Sequence, residues 1–308
     1  MACRTCLVYA MLQPRMLLDL VGSSLVAALS ALPHRAALGA GRMVGRASGR
    51  ILRRKHRRVC SNLGRAGCGE PARTARRAWA QGGANLFEIL WLVGRGADDA
   101  PLPVHVEGRE ALTEAAREGR GVLLVSAHLG NWELVPVEVA RCGLPVAVVA
   151  RPLGTRRLER KWLAFRERHG VRTLLRGEAG SGMAAARWLR GGRVLGCMMD
   201  RTGLTRRLLV PFLGEAMYVP LGPAELAARS GSAVILGTAQ RLPTGEACVR
   251  FRRLAVQPGV APVAIARVIA QALEEEIRLR PEDWLWIYRR QAWLSPEERA
   301  EEGRAAEA

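Results

Sequence analysis

The chain has 308 residues and carries 47 Lys and Arg against 28 Asp and Glu, a formal net charge of +19. That length buries a sizeable core and suits one large domain with extra elements better than two independent ones. The charge is almost all arginine, since the only lysines are Lys55 and Lys161, and it calls for an anionic partner: a lipid surface, a phosphorylated substrate, nucleic acid or an acidic carrier protein.

Residues 7–33, LVYAMLQPRMLLDLVGSSLVAALSALP, are strongly apolar, but Gln13, Pro14, Arg15 and Asp19 interrupt them. A membrane-spanning helix needs about 20 consecutive apolar residues, and the clean run from 20 to 33 is shorter. A secretory leader also fits poorly, because no small-residue cleavage site is followed by an evident mature start. An interfacial or re-entrant helix pair is expected, lying in a membrane rather than across it. The basic run RILRRKHRRV at 50–59 follows. Beside an apolar segment it reads as an electrostatic anchor, each cation near an anionic leaflet being worth about 1 kcal/mol; a solvated helix face is the competing reading. GAGRMVG at 39–45 is no dinucleotide fingerprint, since its third glycine is misplaced and no strand precedes it.

From Glu107 onward short β-rich runs alternate with helical patterns, which predicts an α/β layered domain. Strands are expected at 122–126, 146–150, 171–175, 194–199 and 233–238, and helices near 132–141, 155–169, 181–190 and 221–230. PVAIARVIAQALEEEIRLRP at 262–281 spaces Ile265, Val268, Ile269, Ala272 and Ile277 as one helical face. Trp284, Trp286 and Tyr288 alternate, which predicts a strand with an aromatic face, in a core or at a membrane interface. Arg289 and Arg290 follow, as phosphate contacts or as a solvated strand end. After Trp293 the chain, SPEERAEEGRAAEA, loses apolar pattern and is expected to be disordered. The seven cysteines, Cys3, Cys6, Cys60, Cys68, Cys142, Cys197 and Cys248, are odd in number and lack the repeated close pairs of a zinc site. Reduced thiols in a cytosolic compartment are expected, with no structural metal.

The stretch VLLVSAHLGNWEL at 122–134 runs from a strand into His128, a glycine turn at Gly130 and Glu133. In open α/β sheets reactive groups gather where strands end and helices begin. Asn131 is a suitable N-cap for a helix starting at Trp132, with Glu133 in its first turn. If the loop curls back, the Glu133 carboxylate can accept a hydrogen bond from one imidazole nitrogen and leave the other facing a cleft, an orienter and a base. Such a base activates an alcohol without a protein nucleophile; the chain has no G-x-S-x-G elbow and Ser126 lies on the strand itself. A satisfied core histidine is the competing reading of His-x4-Glu taken alone.

SAHLGNWEL resembles the H-x4-(D/E) motif of glycerolipid-type acyltransferases, in the form typical of the lipid A secondary acyltransferases and the related acyltransferases of phosphatidylinositol mannosides. ARPL at 150–153, RERHG at 166–170, MMDRTG at 198–203, VPFLGEAMYVPLGPAELAARSGSAVI at 210–235 and PEDWLWIYRR at 281–290 resemble that family's blocks in the family's order. The resemblance implies a single α/β domain with a mixed central sheet flanked by helices over 61–294, after a membrane-associating region at 1–60 and before a disordered tail at 295–308. It implies His128 as general base with Glu133 as partner. It places Arg151 and Arg166 on substrate phosphate or a developing oxyanion, Asp200 on acceptor hydroxyls or on Arg151, and Gly214 and Glu215 in an acceptor-side loop, with Gly222 and Pro223 as a helix entry. Asp200 is followed by Arg201, where the lipid A branch usually has Asp-Gln and the mannoside branch tolerates Asp-Arg.

The implied activity is transfer of a fatty acyl chain from a thioester of acyl carrier protein or coenzyme A to a hydroxyl of a phosphorylated glycolipid. A lipid A precursor is the expected acceptor and a phosphatidylinositol mannoside the alternative. The reaction is expected at the cytoplasmic face of the inner membrane, with no cofactor, no metal and no nucleic acid. Two other classes compete: a thioesterase or lipid hydrolase using the same residues with water, and a non-enzymatic nucleic-acid or membrane-binding module that uses only the charge.

Overall fold

The computed structural model describes residues 19, 21–95, 102–177, 180–201, 206–242 and 244–287. The Cys3–Cys6 pair, most of the apolar run before residue 21, Tyr288 to Arg290, Trp293 and the 295–308 tail lie outside them.

Residues 21–30 are helical, followed by α1 (His34–Ile51), α2 (Arg53–Arg65) and α3 (Pro71–Gly94). Among the described residues no helix is long and apolar enough to cross a membrane. Beyond these helices the chain alternates strand and helix: β1 (Val104–Glu107), α4 (Arg109–Arg117), β2 (Val122–Ser126), α5 (Leu134–Arg141), β3 (Val146–Ala150), α6 (Arg156–Arg168), β4 (Val171–Leu175), α7 (Ser181–Arg190) and β5 (Val194–Met198). A hairpin, β6 (Arg207–Phe212) and β7 (Glu215–Pro220), leads to α8 (Gly222–Ser230), β8 (Ala233–Arg241), β9 (Ala247–Arg253) and α9 (Pro262–Leu279).

Seven strands form one sheet in the order β1-β9-β8-β2-β5-β3-β4, and β6 with β7 form a separate pair. The sheet is mixed because β8 and β9 run antiparallel while the other pairs are parallel. β2 sits between β5 and β8 and is buried at all five positions. That explains its unbroken VLLVS sequence, since a parallel strand covered on both faces needs no polar alternation. Side chains alternate across it: Leu123 and Val125 pack with Leu189 of α7, Ala224 of α8 and Ile269 of α9. Val122 and Leu124 pack with Ile89 of α3 and with Val135 of α5 on the other face.

Three predicted strands match the observed limits, the fourth ends one residue early at Met198, and the fifth continues to Arg241. β1, β6, β7 and β9 were not anticipated. β9 reads ACVRFRR, and its arginines hide the apolar alternation of Ala247, Val249 and Phe251 that packs into the core. The expected aromatic strand at the end is instead a 3₁₀ turn at Pro281–Asp283 followed by one antiparallel bridge, Leu129 to Trp284. Trp284 and Trp286 stack edge to face with ring centroids 4.7 Å apart. Their burial against β6 and α2 needs this bend rather than an extended strand, because Asn62 of α2 donates to the Trp286 carbonyl at 3.2 Å and Trp284 meets Phe212 at 6.0 Å. Cys60, Cys68, Cys142, Cys197 and Cys248 are all free thiols.

Candidate active site

The register of two parallel strands creates the site. Ser126 of β2 lies opposite Met198 of β5, and two residues beyond each, at the C-terminal edge of the sheet, come His128 and Asp200. Equal offsets from a paired position set the two side by side. The His128 backbone N–H donates to Asp200 Oδ2 at 2.9 Å, and His128 Nδ1 donates to Oδ1 at 2.9 Å. Trp284 Nε1 donates to the same Oδ2 at 2.9 Å. Burial pushes the Asp200 carboxyl up, but the facing imidazole and the three donated hydrogen bonds outweigh it and hold the group below the usual carboxylate range. A carboxylate only accepts, so the imidazole proton sits on Nδ1 and the neutral ring keeps its lone pair on Nε2.

Glu133 departs from the expected arrangement. It is buried, and its two oxygens take Arg166 of α6 in a fork: Nε to Oε2 at 2.9 Å and Nη2 to Oε1 at 2.7 Å. The orienter of His128 is therefore Asp200. The reason is local: residues 131–133 form a turn, with Leu134 N–H bonded to Asn131 O at 3.1 Å, so the helix starts only at Leu134. Glu133 then points to α6 instead of back along the loop. Asn131 does not cap the helix either; its side-chain amide donates to Glu88 Oε2 at 2.9 Å.

Glu88, from the apolar run of α3, is a functional neighbour that sequence reasoning missed. Its carboxylate, fully buried, also accepts from His34 Nε2 at 2.7 Å and from Arg241 Nη2 at 2.7 Å. Burial alone would raise its pKa, but His34, Arg241 and Asn131 together hold it below the ordinary value. The signal was present, since a lone Glu inside ANLFEILWLVG is conspicuous. Gly130 completes the loop: with φ of 57°, a Cβ there would lie 2.0 Å from the Ala239 carbonyl oxygen, so only glycine lets the loop rest on β8. Its N–H donates to the Asp283 carbonyl at 3.0 Å.

His128 lines a cleft of about 890 Å³ that opens at the C-terminal ends of β2, β3, β4 and β5. Leu124, Val135, Val148 and Trp162 give it an apolar wall, and Arg151, Arg166 and Arg201 line it as well. Such a shape takes an amphiphile with an anionic head. Of the expected substrate residues, Arg151 and Arg166 line this cleft, and so do Gly222 and Pro223. Asp200 is committed to His128 and Trp284. Gly214 and Glu215 are not brought to the cleft: they form the β6–β7 turn, where Glu215 pairs with Arg65 of α2 at 2.6 Å. Among the described residues, the one His/Cys/acid cluster of metal-binding dimensions is His105, Glu107 and Cys248 on the β1–β9 edge. Arg250 already occupies Glu107 there at 2.6 Å.

The family model described as bacterial lipid A biosynthesis acyltransferase matches residues 8–293. A phosphatidylinositol mannoside acyltransferase of Mycolicibacterium smegmatis (strain ATCC 700084 / mc(2)155) is 32% identical over 200 residues, 62% of this chain and 64% of that protein. Its namesake from Mycobacterium tuberculosis (strain ATCC 25618 / H37Rv) is 29% identical over 182 residues, 58% of this chain and 57% of that protein. The chain thus spans about three fifths of the length of these relatives.

Proposed function

The chain belongs to the bacterial lipid A biosynthesis acyltransferase family, and from that premise we propose that it transfers a fatty acyl chain from a thioester of acyl carrier protein or coenzyme A to a hydroxyl of a phosphorylated glycolipid. The observation that carries the mechanism is the Asp200–His128 contact, which leaves Nε2 as the basic nitrogen of a ring lining the cleft. Nε2 takes the acceptor hydroxyl proton as the oxygen attacks the thioester carbonyl, and the Asp200 carboxylate stabilises the imidazolium. The tetrahedral intermediate bears an oxyanion, which arginines lining the cleft stabilise. It collapses by breaking the carbon–sulfur bond, and the thiolate leaves with the proton returned by Nε2. Glu133 acts by fixing Arg166 and the loop, not by touching the imidazole.

For the acceptor, the relatives favour a phosphatidylinositol mannoside over a lipid A precursor, since both named proteins carry that description, and the Asp200–Arg201 pair agrees with that branch. Residues 1–60 would hold the enzyme at the cytoplasmic face of the inner membrane, a reading supported by the exposed Val21, Leu25 and Met43 and by the basic run at 50–59.

The test incubates purified protein with mixed acyl carrier protein and coenzyme A thioesters and polar lipid acceptors, followed by mass spectrometry. A glycolipid that gains one acyl mass with the native chain, and not with His128→Ala, supports the reading and identifies donor, chain and acceptor. Free fatty acid released without any acyl gain by a lipid moves the assignment to a thioesterase.

A further inference from the structure

A second concavity, of about 1020 Å³, lies between α1, α2 and α3 and shares no lining residue with the catalytic cleft. Arg46 and Arg50 of α1, Arg53 and Arg57 of α2, and Arg73, Arg76 and Arg77 of α3 all line it. Each helix repeats the cation at a four-residue interval, where like charges destabilise a helix. Arg53 and Arg73 also sit in the first turns of α2 and α3, which carry no acidic residue and where the helix dipole disfavours cations. Among the described residues Arg73 pairs with Glu70 at 2.9 Å on the exposed rim, and no carboxylate pairs with the other six. Two polar atoms in the wall are buried without a hydrogen-bond partner, Trp79 Nε1 and His56 Nδ1. The wall is rigid because α1 and α3 touch backbone to backbone: a Cβ on Gly45 would lie 2.1 Å from the Trp79 carbonyl oxygen.

We infer that this groove binds the phosphorylated headgroup of an anionic lipid, at a site distinct from the one that holds the reacting substrates. Guanidinium forks match phosphate oxygens in pairs, the two helix N-termini favour the same charge, and the Trp79 indole N–H gains an acceptor. A lipid is the source because the α1–α2 elbow beside Arg50 and Arg53 presents bare apolar side chains, Ile51 at 76% and Leu52 at 38% exposure, as an element seated in a headgroup layer does.

The inference adds a binding site to the proposed membrane enzyme, and it is read by binding without acyl transfer, so the failure of either is separately visible. The full chain is floated with vesicles of phosphatidylcholine, with and without phosphatidylinositol. Replacing Arg50, Arg57 and Arg77 by Gln is expected to weaken binding to the phosphatidylinositol vesicles about 100-fold. Replacing the exposed Arg117, Arg187 and Arg267 by Gln removes the same charge elsewhere and is expected to change it little. Equal loss in the two triple variants, or no loss in the first, overturns the inference. So does calorimetric binding of inorganic phosphate as tight as vesicle binding and lost in the first variant, which assigns the groove to a soluble anion. Loss of acyl carrier protein binding with vesicle binding intact overturns it in favour of a protein partner. Unchanged circular dichroism and melting temperature show that the variants fold.

Discussion

His128 and Asp200 work as a pair because each supplies what the other lacks. The carboxylate needs donors to stay ionised while buried, and the imidazole needs an acceptor to fix its tautomer. His128→Ala is expected to abolish measurable transfer while leaving the circular dichroism spectrum native, with some loss of melting temperature because Asp200 loses its imidazole donor. Asp200→Asn removes the charge that stabilises the imidazolium and offers Nδ1 a weaker partner; steady-state kinetics should show kcat lowered by about 10²- to 10⁴-fold with KM nearly unchanged. If Asp200→Asn keeps native kcat while Glu133→Gln loses it, the roles assigned to the two acids are reversed. Glu133→Gln breaks a buried forked ion pair and leaves Arg166 uncompensated, a change expected to cost about 3 kcal/mol of stability. Denaturant titration checks it, and Arg166→Met added to Glu133→Gln should recover part of the loss. His128 and Glu133 were legible in the sequence as members of one motif, but their separation was not, because a two-residue delay in the start of α5, from Trp132 to Leu134, accompanies the turn of Glu133 towards Arg166.

The loop carrying His128 is held by elements from three parts of the chain. Glu88 ties it to α3, to the start of α1 through His34 and to the end of β8 through Arg241. Gly130 lies on β8, and Leu129 bridges Trp284. Glu88→Ala leaves two buried donors, Asn131 and the Arg241 guanidinium, and the partly exposed His34 unmatched, so a loss of about 3 to 5 kcal/mol is expected. Hydrogen exchange should localise the added mobility to residues 128–133 as well as to α3, which a defect confined to helix packing would not do. The strands around the loop were readable from apolar runs because parallel central strands are apolar throughout. The hairpin β6–β7 and strand β9 were not, β9 because its arginines mask the alternation of Ala247, Val249 and Phe251.

At the scale of the molecule, pH acts on the bend that carries Trp284. The adjacent Asp283 carboxyl is pushed up to about 6 by burial, which Arg280 at 3.2 Å only partly opposes. A carboxyl raised above its ordinary value of 3.8 stabilises the fold fully below that value, and the contribution is lost as pH rises through about 6. The contribution is on the order of 3 kcal/mol. Stability followed by thermal melts should therefore gain from this group as pH falls from 7 to 5, and Asp283→Asn should flatten that slope while its backbone carbonyl still receives Gly130.

The sequence by itself determined the α/β layering, the place of His128 at a strand end, and the family, because apolar periodicity and ordered motif blocks are local properties of the chain. Only the tertiary structure decided that Asp200 orients His128, that Glu133 belongs to Arg166, that Glu88 secures the loop, and that arginines from three helices share one groove. Those pairings join positions up to 153 residues apart, and strand order and helix crossing, which no window of sequence contains, bring them together.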